Sequence, residues 1–461
     1  MSISSEITRI SNAKTAIAQS IANKGVTVPS GTKIDGMAAL IDSIQTGGGG
    51  GETPASAKWN DVTFIDYDGS VLYSYSLAEA QALTALPTLP SHDGLVCQGW
   101  NWTLEAIKAL NRPVTVGVMY ITDDGATRLH IRIATVGRMT VPLYIGQTMS
   151  NGVSIDWGDG STEETLSGTG NVNTSHTYAE PGDYVISLMP QDGCTLSFGD
   201  GSSLHCVMGL IGNNGRVYCN MLQDVSIGKN VTSISNSAFR DCYSLASITI
   251  PDGVTSISNS AFRGCYSLAS ITIPNGVTSI GNDALYNCRS LSSITIPGSV
   301  TSIGNSALSS CYALVSVTIP DGVTSIRNSA FSSCYSLANI TIPDGVTSID
   351  PSAFNSCYSL TNITIPAGVA SINQYTFNSC YSLANITIPA GVTSIGNSAF
   401  NNCYGMRYYD FSSCTAIPTL SNKNAFTSIP SDCQMLIPSA LYNNWKTATN
   451  WTTYASKMVS V

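Results

Sequence analysis

A cysteine recurs every 23 residues through the second half of this 461-residue chain. After a degenerate first step at Cys219, the series runs through Cys242, Cys265, Cys288, Cys311, Cys334, Cys357, Cys380 and Cys403. A fixed period of this length is typical of a solenoid, in which each repeat packs only against its neighbours. The sequence therefore predicts a solenoid over residues 196–412, with recognisable repeats from 219 onward.

The residues between two cysteines predict the course of one turn. In the repeat that begins at Cys242, the predicted core positions are Leu245, Ile248, Ile250, Val254, Ile257 and Phe262. Ile248-Thr249-Ile250 alternates as a strand does, Pro251 ends the strand, and Asp252-Gly253 turns the chain. Ala261-Phe262 indicates a short helical turn on the opposite side. We therefore expect one parallel sheet, along one side of the solenoid.

This repeat resembles the 23-residue leucine-rich repeat of BspA-like bacterial surface proteins, from about residue 219 to 412. The segment 413–461, with Trp445, Trp451 and Tyr454, looks like the C-terminal cap that ends such arrays. A cap is required because the last turn would otherwise expose its apolar face and an unpaired strand edge. The resemblance of the repeats, taken alone, implies a cell-surface adhesin.

The cysteine column predicts packing rather than chemistry. Residues at one repeat offset stack about 5 Å apart, but their Cβ vectors run parallel, so we expect buried, reduced thiols and no disulfides. A metal or redox site would need paired Cys-x-x-Cys spacing or histidines, and the array has neither. The sequence thus predicts no metal and no cofactor.

Three columns of side chains are predicted to face outward. The residue after each cysteine gives the first column, which Arg289 interrupts: Tyr243, Tyr266, Tyr312, Tyr335, Tyr358, Tyr381 and Tyr404. Strand positions give the other two: Ser247, Ser270, Ser293, Ser316, Asn339, Asn362 and Asn385, beside Thr249, Thr272, Thr295, Thr318, Thr341, Thr364 and Thr387. Tyrosine combines flat apolar area with a hydroxyl, which suits glycan or protein recognition. We predict a ligand-binding stripe of these tyrosines with Thr318, Thr341 and Thr364; alternatively, the threonines serve the strand and the tyrosines shield a turn.

Sequence motifs and composition favour no catalytic or nucleic-acid function. The chain has no nucleophile elbow, zincin motif or phosphate-binding loop, and its four histidines are scattered over three modules. Residues 226–404 contain no glutamate, and three of their six aspartates, Asp252, Asp321 and Asp344, recur at a Pro-Asp-Gly turn. A net charge of −9 with 11% charged residues leaves no basic stripe for nucleic acid, and no apolar run is long enough to cross a bilayer. The sequence therefore predicts a protein that is not an enzyme.

The N-terminal segment 1–46 predicts helices that associate. Ile3, Ile7, Ile10, Ile17 and Ile21 fall at steps of 4, 3, 7 and 4, as in the seam of a coiled coil, and a second helix is expected after Thr32. A Gly-rich linker, 47–58, follows. The segment resembles the N-terminus of tail proteins from phages of gut Gram-positive bacteria. The resemblance implies attachment to other tail proteins, or a homo-oligomer such as a trimer.

Two further modules are predicted before the repeats. Residues 59–128 contain strand patterns around an Asp68-Gly69 turn and resemble an internalin-type B repeat, an α/β module in which Trp59, Trp100 and Trp102 are assigned to packing.

Residues 129–195 carry Asp156-Trp157-Gly158-Asp159-Gly160, then His176-Thr177-Tyr178, and resemble a PKD-type β-sandwich. Trp157 is expected in its core beside a turn that Asp159 stabilises. Calcium binding by the two aspartates is the alternative, although about six oxygen ligands would be needed.

These sequence patterns support two functional hypotheses. The first is a phage tail fibre or tip protein, made in the host cytoplasm and exposed on the virion, whose solenoid binds a glycan or protein of the host surface. The second is a BspA-like cell-surface adhesin. The N-terminus has neither the basic start nor the apolar stretch of a secretory signal, which favours the first hypothesis. An intracellular scaffold is a third possibility.

Overall fold

The computed structural model describes residues 61–66, 71–91, 95–100, 104–108, 115–122, 125–133, 139–199, 206–211 and 217–461. The predicted N-terminal helices, with Ile3, Ile7, Ile10, Ile17 and Ile21, and the Gly-rich linker lie outside these residues, as do Trp59 and Trp102. Within the described part, the protein is mainly β, with few helices and a solenoid of about ten turns. None of the helices there has the length and apolar character that crossing a membrane requires.

A small four-stranded sheet comes first. Its elements are β1 (Asp61–Ile65), β2 (Val71–Ser76), α1 (Leu77–Gln81), β3 (Leu95–Trp100), α2 (Leu104–Lys108) and β4 (Thr115–Thr122), and the strand order is β2-β1-β4-β3. Ser76 and Glu79 form a reciprocal capping box that starts α1. Phe64 packs edge-on against Trp100, whose indole N–H donates to the Pro87 carbonyl at 2.8 Å. Trp100 is therefore a core residue, as its assignment to packing predicted.

Two sheets follow, over the region predicted as a PKD-type sandwich. Their strands are β5 (Thr127–Ile133), β6 (Thr140–Gln147), β7 (Val153–Asp156), β8 (Glu164–Thr165), β9 (Gly170–Thr177), β10 (Gly182–Pro190) and β11 (Leu196–Phe198). A short hairpin of β12 (Leu210–Ile211) and β13 (Val217–Tyr218) leads to the repeats. Within this region the sheet orders are β5-β10-β7-β8 and β11-β6-β9.

The repeats form the long part of the fold. Their strands are β14 (Leu222–Ser226), β15 (Val231–Ile234), β16 (Ser247–Thr249), β17 (Ser256–Ile257), β18 (Ser270–Thr272), β19 (Ser279–Ile280), β20 (Ser293–Thr295), β21 (Ser302–Ile303), β22 (Ser316–Thr318), β23 (Ser325–Ile326), β24 (Asn339–Thr341), β25 (Ser348–Ile349), β26 (Ser371–Ile372), β27 (Asn385–Thr387), β28 (Ser394–Ile395), β29 (Tyr408–Asp410) and β30 (Thr419–Leu420). Most turns pair in parallel with the equivalent residues 23 positions later, as Ser316 does with Asn339.

These strands build two parallel sheets. The front sheet runs β14-β16-β18-β20-β22-β24, and the back sheet begins with β15-β17-β19-β21. In the front sheet Ile271 is buried and Thr272 faces outward, because side chains alternate along a strand. The prediction of a single sheet was therefore incomplete, because each turn also contributes a strand to the back sheet. Most of these back strands are two residues long and consist of Ser-Ile, as Ser256–Ile257 does at the end of Val254-Thr255-Ser256-Ile257.

The region before the repeats does not close as a separate sandwich. β5 pairs with β14 and β11 pairs with β15, so its two layers continue into the front and back sheets. Trp157, Phe198 and Phe239 belong to one continuous buried core. The physical reason is that β14 and β15 fill the edges that an independent sandwich would leave unpaired.

The third side of the solenoid is a column of turns, not the predicted helical turn. In the repeat around Phe262, Ser260 and Gly264 adopt left-handed φ angles of 55° and 77°. In the other repeats, most positions equivalent to Ser260 and Gly264 are serine, asparagine or aspartate. Asparagine and aspartate adopt left-handed φ angles more readily than bulky residues do. Phe262 N–H donates to the Ala284 carbonyl of the next turn at 2.8 Å. Neighbouring turns thus satisfy each other's backbone groups without a helix.

The C-terminal end of the solenoid is covered by the residues that follow the last turns. These residues contain β31 (Gln434–Ile437), a 3₁₀ helix (Ser439–Leu441), α3 (Tyr442–Thr447), a second 3₁₀ helix (Trp451–Lys457) and β32 (Met458–Ser460). β31 pairs with β29, and β32 covers β31. Trp445, Trp451 and Tyr454 are buried against the last turns.

Candidate functional site

The tyrosines that follow the cysteines form a stack of rings along one edge of the front sheet, which we call the tyrosine ladder. Neighbouring rings are nearly parallel. The centroids are 4.6 Å apart for Tyr243 and Tyr266, 4.6 Å for Tyr312 and Tyr335, 4.6 Å for Tyr335 and Tyr358, 4.5 Å for Tyr358 and Tyr381, and 5.2 Å for Tyr381 and Tyr404. The spacing follows from one ring per turn at the separation of adjacent strands.

Arg289 does not interrupt this ladder. Its guanidinium carbon lies 4.5 Å from the Tyr266 ring centroid and 5.4 Å from that of Tyr312. Asn287 holds the group in place, because its side-chain oxygen accepts from Arg289 Nε at 2.9 Å. A planar cation between two aromatic faces is attracted by both rings. The ladder therefore has eight members and carries one positive charge near its middle.

Stacking decides which part of each tyrosine can meet a ligand. The rings from Tyr243 to Tyr358 are half-buried, because neighbouring rings stack face to face. Tyr404 has a ring neighbour on one side and is 57% exposed. The rings are therefore partly packed against the solenoid, and the ligand-binding stripe stays a prediction.

Burial and neighbouring rings affect the ionisation of Tyr335, an interior member of the ladder. The pKa of Tyr335 is raised, first by desolvation and then by Tyr312 and Tyr358. Its hydroxyl is therefore protonated at neutral pH and can both donate and accept a hydrogen bond. An uncharged hydroxyl line suits a neutral polar ligand better than it suits a cation.

The two predicted strand columns lie beside the ladder on the outer face of the front sheet. Thr272, Thr295, Thr318, Thr341, Thr364 and Thr387 are exposed. Ser293, Ser316, Asn339 and Asn362 are exposed as well, whereas Ser270 and Asn385 are half-buried. The first pair differs: Ser247 and Thr249 are buried on β16, which β4 contacts, so the columns become accessible only from β18 onward.

The cysteine column has a hydrogen-bonding role that the sequence analysis did not foresee. All its members are free, buried thiols, as predicted. From Cys265 to Cys403, each S–H donates to a carbonyl 26 residues earlier; Cys265 Sγ lies 3.1 Å from the Phe239 oxygen and Cys357 Sγ lies 3.2 Å from that of Phe331. Burial raises the pKa of Cys334 to about 12, so the thiol stays protonated. The column stabilises the stack and is not placed for reaction with a ligand.

The aspartates considered for calcium are engaged in a turn. Asp156 accepts from Gly158 N–H at 2.9 Å, and Asp159 accepts from Ser161 N–H at 3.0 Å. Hydrogen bonds from Ser161 and His176 lower the pKa of Asp159 to about 2. His176 also stacks on Trp157, which is buried as predicted. In the part of the chain that the structure describes, no three acidic, histidine or cysteine residues are grouped to hold a metal ion.

Fold and site together define a leucine-rich-repeat solenoid whose outer face carries uncharged columns of serine, asparagine and threonine beside the tyrosine ladder. The family of the BspA type leucine-rich repeat region matches residues 210–338 and 302–431, in six copies. Residues 210–431 therefore belong to this repeat family, as the sequence predicted. The matched residues include neither the predicted PKD-type unit of 129–195 nor the segment 1–46, so the two resemblances assigned there stay predictions.

Several solved structures are similar to the chain. A leucine-rich cell surface protein from Faecalibacterium prausnitzii A2-165 is 30% identical, over 47% of this chain and 73% of that one, with a TM-score of 0.32. The leucine-rich repeat protein of T. pallidum is 25% identical, over 34% and 88%, with a TM-score of 0.27. The pneumococcal vaccine antigen PcpA is 15% identical, over 50% and 83%, also with a TM-score of 0.27. No curated protein matches the chain.

Proposed function

We propose that this protein is a non-enzymatic adhesin of the BspA-like surface class, whose solenoid binds a surface glycan or protein along the tyrosine ladder. The observation that carries the proposal is the line of stacked, partly exposed tyrosines from Tyr243 to Tyr404, beside exposed threonine and asparagine columns. Aromatic rings and hydroxyls held in fixed positions lose little entropy when they bind a partner. The site needs no metal and no cofactor.

The repeat family supports the adhesin hypothesis over the phage-tail hypothesis. BspA-type repeats cover 210–431, whereas the phage resemblance concerns residues 1–46. The acidic net charge and the uncharged outer columns also favour a neutral surface partner over nucleic acid. The expected location is the outer surface of a bacterium.

Changing Tyr312, Tyr335 and Tyr358 together to serine tests this proposal. We expect the variant to fold with a lowered melting temperature, because each lost ring contact is worth on the order of 1 kcal/mol. Binding of the labelled full chain to cultured epithelial cells, measured by flow cytometry, is expected to fall at least tenfold. The same three residues changed to phenylalanine keep the stack and remove the hydroxyls, so that variant shows which part of the ladder binds. Undiminished binding by a folded serine variant would contradict the proposal.

The phage-tail hypothesis remains a second candidate because of the isoleucine seam at 1–46. It predicts that the full chain binds Gram-positive bacterial cells rather than epithelial cells. It also predicts that deletion of residues 1–46 leaves a folded chain that no longer forms oligomers. A deletion variant with the same mass in solution, by light scattering, would rule out the seam as the oligomerisation element.

A further inference from the structure

The front sheet is interrupted near its C-terminal end. β24 is the last strand of the first part, and Asn362 joins it only through an isolated bridge to Asn339. The sheet resumes at β27, which pairs with β29. Between residues 362–364 and β27, all of which the structure describes, no strand pairing is present.

A pocket of about 180 Å³ opens on the outer face at this interruption. Four polar side chains from the two outward columns line it, namely Asn362, Thr364, Asn385 and Thr387. Asn362 and Thr364, like Asn385 and Thr387, are alternate residues of one segment, so the side chains of each pair point to the same face about 7 Å apart. Amide and hydroxyl groups at this spacing can each donate and accept hydrogen bonds.

One wall of the pocket is aromatic. Tyr408 pairs in register with Asn385 and so continues the column that serine and asparagine occupy in earlier turns. Its ring is 38% exposed and lines the pocket. Ile363, Ile365 and Ile386 contribute apolar surface beneath the polar groups. Pro389 also lines the pocket and is half-buried, whereas its equivalents in the earlier turns, such as Pro343 and Pro366, are buried.

We propose that this pocket binds a single neutral sugar ring, as one subsite of the surface recognised by the solenoid. The ligand class follows from the lining: polar groups for hydroxyls, an aromatic ring for the apolar face of the sugar, and no charged residue. A phosphate or carboxylate would find no cation there. The volume is below the 300 Å³ or so of pockets that enclose drug-sized ligands, which favours one ring over an extended chain.

This inference rests on the proposed function and adds a ligand class and a place to it. The ladder and the pocket are separate sites, since no ladder tyrosine lines the pocket. Their contributions can therefore be measured independently in the full chain.

The experiment uses free methyl glycosides of neutral hexoses and N-acetylhexosamines, with sialic acid and glucuronic acid as charged comparisons. Saturation-transfer NMR on the full chain is expected to detect at least one neutral glycoside and neither acid. Tyr408→Ala, and the pair Asn385→Ala with Thr387→Ala, are expected to weaken its binding at least tenfold. The matched control is Asn339→Ala with Thr341→Ala, the same columns on the continuous sheet, which should bind normally.

Each other outcome overturns the inference. Binding of no neutral glycoside, a preference for the acids, or equal binding by folded Tyr408→Ala would show that the pocket is not a neutral-sugar site. Failure of the proposed function looks different. In that case the serine variant of the ladder binds cells normally, while glycoside binding still depends on Tyr408.

Discussion

Raising the pH above 9 is expected to unfold the repeats at temperatures where they are stable at neutral pH. Seven thiols donate to carbonyls inside the solenoid: Cys265, Cys288, Cys311, Cys334, Cys357, Cys380 and Cys403. Burial raises the pKa of Cys334 and of Cys403 from 9.0 to about 12, and the other five are raised as well. Ionisation would place a charge in the core and remove the hydrogen-bond donor.

The direction of the pH effect on stability follows from the linkage between proton binding and folding. Because the folded-state pKa lies above that of the unfolded chain, stability is unaffected below about pH 9 and falls between about 9 and 12. Each thiol that stays protonated in the folded state removes on the order of 1 kcal/mol per pH unit in that window, so seven acting together remove several kcal/mol at pH 10. This is comparable with the whole stability of a typical domain. Melting followed by circular dichroism, with a reductant present, measures the effect.

Cys334→Ala is the control for this prediction. The variant loses one titrating thiol, so its unfolding free energy should fall less between pH 8 and pH 10.5, by about 2 kcal/mol. Both proteins keep the same tyrosines, whose ionisation therefore cancels in the comparison. An identical pH dependence for the two proteins would mean that the cysteine column is not the cause.

The period of the cysteines predicts most of the solenoid, because every turn must present the same core to the next one. Leu245, Ile248, Ile250, Val254 and Ile257 are all buried as expected. The back sheet was missed because its strands are two residues long, although Val254 and Ile257 already pointed inward. The turn at Ser260 was taken for a helix because left-handed serines leave no clear mark in a sequence.

The candidate sites were predictable to different degrees. A ring at a constant repeat offset has to stack on the next, so the ladder could have been predicted from Tyr312, Tyr335 and Tyr358, and Arg289 could have been recognised as a stacking partner. The pocket could not have been predicted from the sequence. Residues 339–343, 362–366 and 385–389 all read Asn-Ile-Thr-Ile-Pro, yet strand pairing is lost only between the second and third. Only Tyr408 marks the place in the sequence.

Replacing Trp451 by alanine is expected to destabilise the C-terminal turns by about 3 to 5 kcal/mol, the range for a large buried aromatic side chain. Trp451 is 1% exposed, and its indole N–H donates to the Pro418 carbonyl at 2.7 Å. Its ring contacts Phe411 and Phe426, which belong to the last turns of the array. Urea denaturation gives the loss, with the exposed Thr452→Ala as a neutral control.

The location of the lost stability along the array tests the role of the cap more sharply than the magnitude of the loss does. In a stack of turns that contact only their neighbours, loss of the cap should open the array from that end. Hydrogen exchange of the Trp451→Ala variant should therefore accelerate in residues 385–437 and change little in residues 247–295. Trp451→Phe keeps the ring contacts and loses the hydrogen bond, so its effect should be smaller and confined to the same end. Uniform acceleration along the array would mean that the solenoid unfolds as one unit, and that the cap stabilises every turn equally.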